Sequence, residues 1–279
     1  MKKIKLFVTC NKIGEVPETN SDIFIPIQTG KALTGINLGV LGDDTGDNIS
    51  EKNDKYCELT AHYWIWKNVH DAEYVGICHY RRYFNYVFSE NNIDNLFKRA
   101  DVIMVTPKYN LHDVQFSFLK YIASEDIAIL HQVLRKVYPE YEKAFIQKML
   151  GTLSYEYNML ICRKELFDSY CEWIFNILKE CDKYLKPSPY SNAQRVKAYI
   201  AEYLMSVYFS KNNYKIKTLD LKMKTSNGFE VIRANPIKKA LSLLINLRRY
   251  FVKTISMYGY AQINGLKKDG ISLFDSIQT

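Results

Sequence analysis

Tyr74-Val75-Gly76-Ile77-Cys78-His79-Tyr80-Arg81-Arg82-Tyr83-Phe84 is the stretch on which the reading of this chain turns. Tyr74–Cys78 is a run of apolar and small residues of strand length, and it ends abruptly in a polar cluster, His79–Arg82. In open α/β sheets a ligand is met at the carboxyl ends of the strands, so a polar cluster just after a buried strand marks a mouth. Two adjacent arginines there are costly to order without an anion. Guanidinium groups match phosphate oxygens in a two-pronged geometry. The competing reading is a surface Arg pair stacked on neighbouring Tyr and Phe rings.

Outward from this stretch the chain alternates. Lys3–Cys10 reads as a buried opening strand and Ile23–Ile27 as a second, closed by Pro26 and Thr29-Gly30. Asn53–Val69 fits a helix with Tyr56, Leu59, Tyr63 and Trp66 on one face. Asp101–Val105, Tyr157–Cys162 and Tyr214–Leu219 read as strands. Glu125–Val137, a short segment ending at Leu150, Lys164–Leu185 and Ala193–Ser210 read as helices, with Pro187-Ser188-Pro189 as a break. Strands alternating with helices predict an α/β fold with a largely parallel sheet flanked by helices. The expected organisation is one domain over residues 1–220 and a C-terminal helical extension over 221–279.

Charge supports that division. The chain of 279 residues has a formal net charge of +8. Residues 221–279 contain ten Lys/Arg and three acids, a balance of +7, which leaves about +1 for the rest. Residues 221–236 read as irregular, and Ile237–Ile255 as a basic amphipathic helix. Ile237, Leu241, Leu244, Leu247 and Phe251 share a face, with Lys238, Lys239, Arg249 and Lys253 off it. That pattern predicts a membrane surface as partner, through residues 237–255. Lysines merely solvated on a packed helix are the alternative. The near-neutral body argues against a nucleic-acid-binding protein, which spreads basic residues along a face.

The six cysteines form no C-x-x-C pair and lie in apolar stretches, as buried free thiols of a reducing compartment do. Neither a signal peptide nor a membrane-spanning run is expected. A cytoplasmic location follows, peripheral at the inner face of the membrane.

A second cluster is Gly42-Asp43-Asp44-Thr45-Gly46-Asp47-Asn48-Ile49-Ser50. Acids between glycines hold a metal, accept ribose hydroxyls, or simply form turns.

These motifs together carry a resemblance. GDDTGDNIS, YCELTAHYWIWKN and YVGICHYRRYF, extended by YNMLICRKELFDSYCEWIF and RVKAYIAEYL, resemble the bacterial family catalogued as domain of unknown function 4422, over roughly residues 3–220. The resemblance implies a glycosyltransferase of capsule, O-antigen or exopolysaccharide synthesis with a GT-A-like, Rossmann-like nucleotide-sugar-binding domain. Some relatives transfer galactofuranose from a UDP donor. It singles out Asn158, Arg195 and Glu202 without assigning their roles. The expected partners are a UDP-sugar donor and a lipid-linked glycan acceptor. A sugar-phosphate transferase of the same pathways is the rival.

GT-A enzymes usually carry Asp-x-Asp to hold a divalent metal at the donor diphosphate, and this sequence has none. Two arrangements stand in its place. Arg81 and Arg82 clamp the diphosphate directly, or His79 joins Asp43, Asp44 or Asp47 around Mn²⁺ or Mg²⁺, with His79 and Asp44 as first ligands. A general base is needed if the anomeric centre inverts, and Asp126 and Glu202 are the candidates. The donor is expected to touch Thr9, Asn11, Lys12 and Gln28 at the first two strand ends, then Asp43, Asp44, Asp47, Asn48, His79, Tyr80, Arg81, Arg82, Asn158 and Arg195.

Overall fold

In chain order the computed structural model runs β1 (Lys2–Cys10), β2 (Phe24–Gln28), β3 (Leu41–Gly42), α1 (Asn53–Tyr56), α2 (Leu59–Asn68), β4 (Ala72–His79), β5 (Arg82–Phe84), α3 (Ile93–Phe97) and β6 (Val102–Val105). It continues with β7 (Lys108–Tyr109), α4 (Val114–Phe118), α5 (Ser124–Val137), α6 (Glu142–Leu150), β8 (Leu153–Ser154), β9 (Leu160–Arg163) and α7 (Lys164–Cys181). It ends with α8 (Val196–Lys211), β10 (Ile216–Leu219), β11 (Leu221–Thr225), β12 (Gly228–Ile232), α9 (Pro236–Asn246) and α10 (Ile263–Lys268). The residues described are 2–17, 22–186, 188–190, 193–251 and 258–275.

Two units emerge. The first is Met1–Pro107, Tyr155–Glu172 and Asn212–Arg233. It contains the sheet, ordered β10-β6-β9-β4-β1-β2-β3. Neighbours pair in parallel except at β9, which runs antiparallel to both β4 and β6. β1 is buried on both faces, as a central parallel strand must be. Ile4, Leu6 and Val8 face one side with Tyr74, and the Tyr74 ring stacks on Phe97 of α3 at 4.6 Å. Phe7 faces the other side and meets Trp64 of α2 edge-on at 6.2 Å. Gly76 is required where β9 crosses close to β4. A Cβ there would lie 2.7 Å from Ile161 Cγ1 and 2.9 Å from the Leu160 carbonyl oxygen.

The second unit is Lys108–Ser154, Trp173–Lys211 and Ala234–Thr279. It is mainly helical. Trp173 packs on Tyr141 and Tyr208, and the Phe118 and Tyr203 rings approach to 3.9 Å.

The largely parallel α/β sheet is the expected one, but the boundary differs from a division at residue 220. Residues 212–233 belong with the sheet, because the β11–β12 hairpin (not an irregular stretch) pairs onto β5. Residues 234–279 belong with the helical unit, because Ile263, Leu266, Ile271 and Phe274 are buried there. Two elements are shorter than their patterns suggest. The helix expected over Asn53–Val69 is broken at Cys57, whose φ is +49°. The one expected over Ile237–Ile255 stops at Asn246, and residues 252–257, Lys253 and Ile255 among them, lie outside the described residues.

Candidate functional site

The register of the sheet brings the expected residues to one edge. Thr9 lies beside His79, Cys10 beside Gln28, and Gln28 beside Gly42, so β4, β1, β2 and β3 end together. Because β9 runs the other way, the residues before it reach that same edge. Tyr157 and Asn158 therefore arrive next to His79.

Tyr157 and Asn158 both have left-handed backbones, at φ +80° and +49°. Asparagine tolerates this region, but tyrosine rarely enters it. Three of the four non-glycine residues with positive φ among the described residues are Cys57, Tyr157 and Asn158. They converge through side chains. Asn158 Nδ2 donates to Glu58 Oε1 at 2.7 Å, and Glu58 directly follows Cys57 at the start of α2. His79 Nε2 donates to the Tyr157 carbonyl at 2.6 Å. Backbone strain costs of order 1–3 kcal/mol per residue and persists where surrounding contacts enforce it, as functional sites do.

Two imidazoles lie within this cluster. Burial depresses the pKa of His79, an effect reinforced by Arg82 and Arg81 and opposed by Glu58 and the Tyr157 carbonyl. With Nε2 donating, the neutral ring presents Nδ1 to the Thr9 hydroxyl at 3.4 Å. His62 is fully buried against Phe167, and burial pushes its pKa down to about 4. Its ring nitrogens lie 3.1 Å from the Glu58 carbonyl and 3.0 Å from the Asn158 carbonyl. A neutral ring donates to one of these, whereas only the charged ring could serve both. The two carbonyls thus pull against burial, and burial is the larger effect.

Arg82 is the residue that asks for a ligand. Its guanidinium lies 4.4 Å over the Tyr157 ring, and its Nε is buried with no hydrogen-bond partner. A buried charged donor left without an acceptor is expensive, and an anion removes that cost. Arg81 is exposed, with its guanidinium 4.9 Å from the Tyr80 ring. Tyr80 is half-buried. The first strand's loop lies at this edge too. Asn11 and Lys12 are exposed, and both backbone amides donate to Glu15, at 2.9 and 3.2 Å.

Other expected residues are occupied in building loops. Gln28 is fully buried, donating to the Ile36 carbonyl and accepting from the Leu38 amide. Asp43 is fully buried and accepts from Gly30 N, Lys31 N and Ser50 Oγ; Gly30 takes φ +65° to present its amide. Asp44 faces Lys31 at 3.8 Å. Asp47 accepts from Tyr63, and Asn48 bonds to Gly46 O and Ser50 N in a local turn. The second cluster is thus engaged largely in turn chemistry.

The expected metal set is not assembled. Among the described residues no group of three or more His, Cys, Asp or Glu side chains is placed to hold an ion. His79 gives Nε2 to a carbonyl, and Asp43 spends its oxygens on amides and a hydroxyl. His79 and Asp44, the expected ligands of Mn²⁺ or Mg²⁺, are instead placed against the Tyr157 carbonyl and 3.8 Å from Lys31, respectively.

Asp126, Glu202 and Arg195 belong to the second unit. The Asp126 carboxylate accepts from the Ala123 amide at 3.3 Å, at the start of α5, and burial pushes its pKa up to about 6. Glu202 is half-buried and Arg195 exposed. Glu58, His62 and Tyr157 were not foreseen. Glu58 and His62 stand four apart in an otherwise aromatic helix, which puts a carboxylate and an imidazole on one face.

Comparison with known proteins agrees with the α/β fold. Residues 5–213 match the family described as Domain of unknown function (DUF4422). No curated protein matches the chain. A solved structure is similar, that of the bifunctional glycosyltransferase WbbM without ligand, at 29% identity and a TM-score of 0.73. The likeness covers 84% of this chain and 47% of that one, so the chain spans about half the length of its solved relative.

Proposed function

This chain belongs to the DUF4422 family, and from that premise we propose that it is a glycosyltransferase using a nucleotide diphosphate-sugar. The observation that carries the reading is Arg82, a half-buried guanidinium at a strand end with Nε lacking a partner. In this reading Arg82, with Arg81 beside it, grips the diphosphate of a UDP-sugar, and Tyr157 keeps the guanidinium flat beneath it. An acceptor hydroxyl oxygen bonds to the anomeric carbon. The bond from that carbon to the phosphate oxygen breaks, and its electron pair leaves on UDP. The two positive charges stabilise the charge that builds on the departing phosphate. Glu58, bonded to Asn158 and acting electrostatically on His79, is the carboxylate this reading assigns to the chemistry. It receives the acceptor proton if the anomeric centre inverts. His79, neutral and locked to Tyr157, fixes the strained turn.

The donor is read as a UDP-sugar, galactofuranose among the choices, and the acceptor as a lipid-linked oligosaccharide of a bacterial surface polysaccharide. A sugar-phosphate transferase would use the same arginines but release UMP. The test is product release from a panel of UDP-sugars, with Mn²⁺ or with EDTA. UDP release lowered by about 10²–10³ in kcat by Arg82→Ala, the loss usual for one charge-stabilising donor, supports the proposal. UMP release, or full activity of Arg82→Ala, rejects it.

A further inference from the structure

Helix α9 packs the wrong way round for a helix of a soluble domain. Its polar side chains face inward: Ser242 and Asn246 are buried and one turn apart. Both meet buried Thr152. The Ser242 hydroxyl donates to Thr152 Oγ1 at 3.0 Å, Thr152 Oγ1 donates to the Ser242 carbonyl at 2.8 Å, and the Thr152 amide donates to Asn246 Oδ1 at 3.1 Å. The apolar residues are left outside. Ile237 is 72% exposed, Leu244 66% and Leu247 53%, with Leu241 beside them and Phe251, 82% exposed, beyond the helix end. Soluble proteins rarely leave a row of large aliphatic side chains uncovered unless something covers it in use.

The charge of the sequence on either side of this helix identifies what covers it. From Glu230 to Asp269 the sequence has no acidic residue between the two, and it has eight basic ones, at 233, 238, 239, 248, 249, 253, 267 and 268. Lys238 and Lys239 are exposed on α9 itself. A second copy would bring like charge against like. At 11 residues α9 is too short to cross a bilayer, and among the described residues no helix is long and apolar enough to do so. A helix with leucines outward in a stretch of sequence rich in basic residues and free of acids lies in the interface of an anionic bilayer.

We propose that α9 docks flat on an anionic lipid surface, anchored to its own unit by the Ser242–Thr152–Asn246 contact. This does not depend on the transferase reading. The test is co-flotation of the full chain with vesicles of phosphatidylethanolamine and phosphatidylglycerol, and with vesicles of phosphatidylcholine alone. Leu241→Glu/Leu244→Glu is compared with Val87→Glu/Tyr190→Glu, which makes the same charge change at exposed positions elsewhere. The expected result is flotation with the anionic vesicles only, lowered about tenfold or more by the α9 pair and little by the control pair. Leu241→Ser/Leu244→Ser stands in if the glutamates unfold the protein. Absence of flotation, equal loss in both pairs, or a protein dimer that the α9 changes dissociate overturns the proposal.

Discussion

His62 shows how one buried side chain ties the candidate site to pH. Its pKa is about 4 in the folded chain against about 6.5 when unfolded. The folded state favours the neutral ring. As pH falls from about 6.5 toward 4, the unfolded chain takes up a proton that the folded chain refuses, so acid removes stability, by up to about 3 kcal/mol. Asp126 works in the opposite sense. Its carboxyl titrates near 6 when folded and near 3.8 when not, so between those values the folded chain holds the extra proton and acid adds stability. His62→Gln should therefore flatten the loss of stability between pH 7 and 4.5 in denaturant titrations. An unchanged slope would show that the two carbonyls around His62 already hold it charged.

At the scale of elements, the position of β9 matters most. It is the strand that delivers Tyr157 and Asn158, and it can approach β4 only because residue 76 has no side chain. Gly76→Ala should cost about 1–3 kcal/mol, the usual range for overpacking a core, read as a lower urea midpoint. No shift in that midpoint would mean that β9 has room to retreat. The strand at 74–78 and its polar end were legible in the sequence because burial and charge change at one point. The turn at Tyr157-Asn158 was not. Its apolar neighbours extend the strand pattern back to Tyr157, and nothing in a tyrosine announces a left-handed backbone. Glu58 was hidden for a similar reason, since the helical period runs smoothly across Cys57 while the backbone does not. The acids of the GDDTGDNIS loop misled in the other direction: a carboxylate that holds a turn and one that holds a ligand look alike until their partners are seen.

At the scale of the whole molecule, local charge separated the tail from the body, but packing divides the chain elsewhere. Phe274, Leu266 and Ile271 are buried, and the Tyr260 hydroxyl lies 2.9 Å from His131 Nδ1 on α5. Truncation after residue 257 should thus remove several kcal/mol, at about 1.5–3 kcal/mol per large buried side chain, and appear as early unfolding of the helical unit in a thermal scan. Intact melting after that truncation would show the segment to be dispensable. The antiparallel β9 has a last consequence, for the order in which the protein is made. β6 lies at residues 102–105, and its two sheet neighbours, β9 and β10, both come later in the chain. During synthesis the first strands to leave the ribosome can zip together as β4-β1-β2-β3, while β6 waits beside an empty slot. That gap closes only when residues 160–163 emerge and thread in from the opposite direction, so the nascent chain carries an open sheet margin from the completion of β4 at residue 79 until β9 has been made.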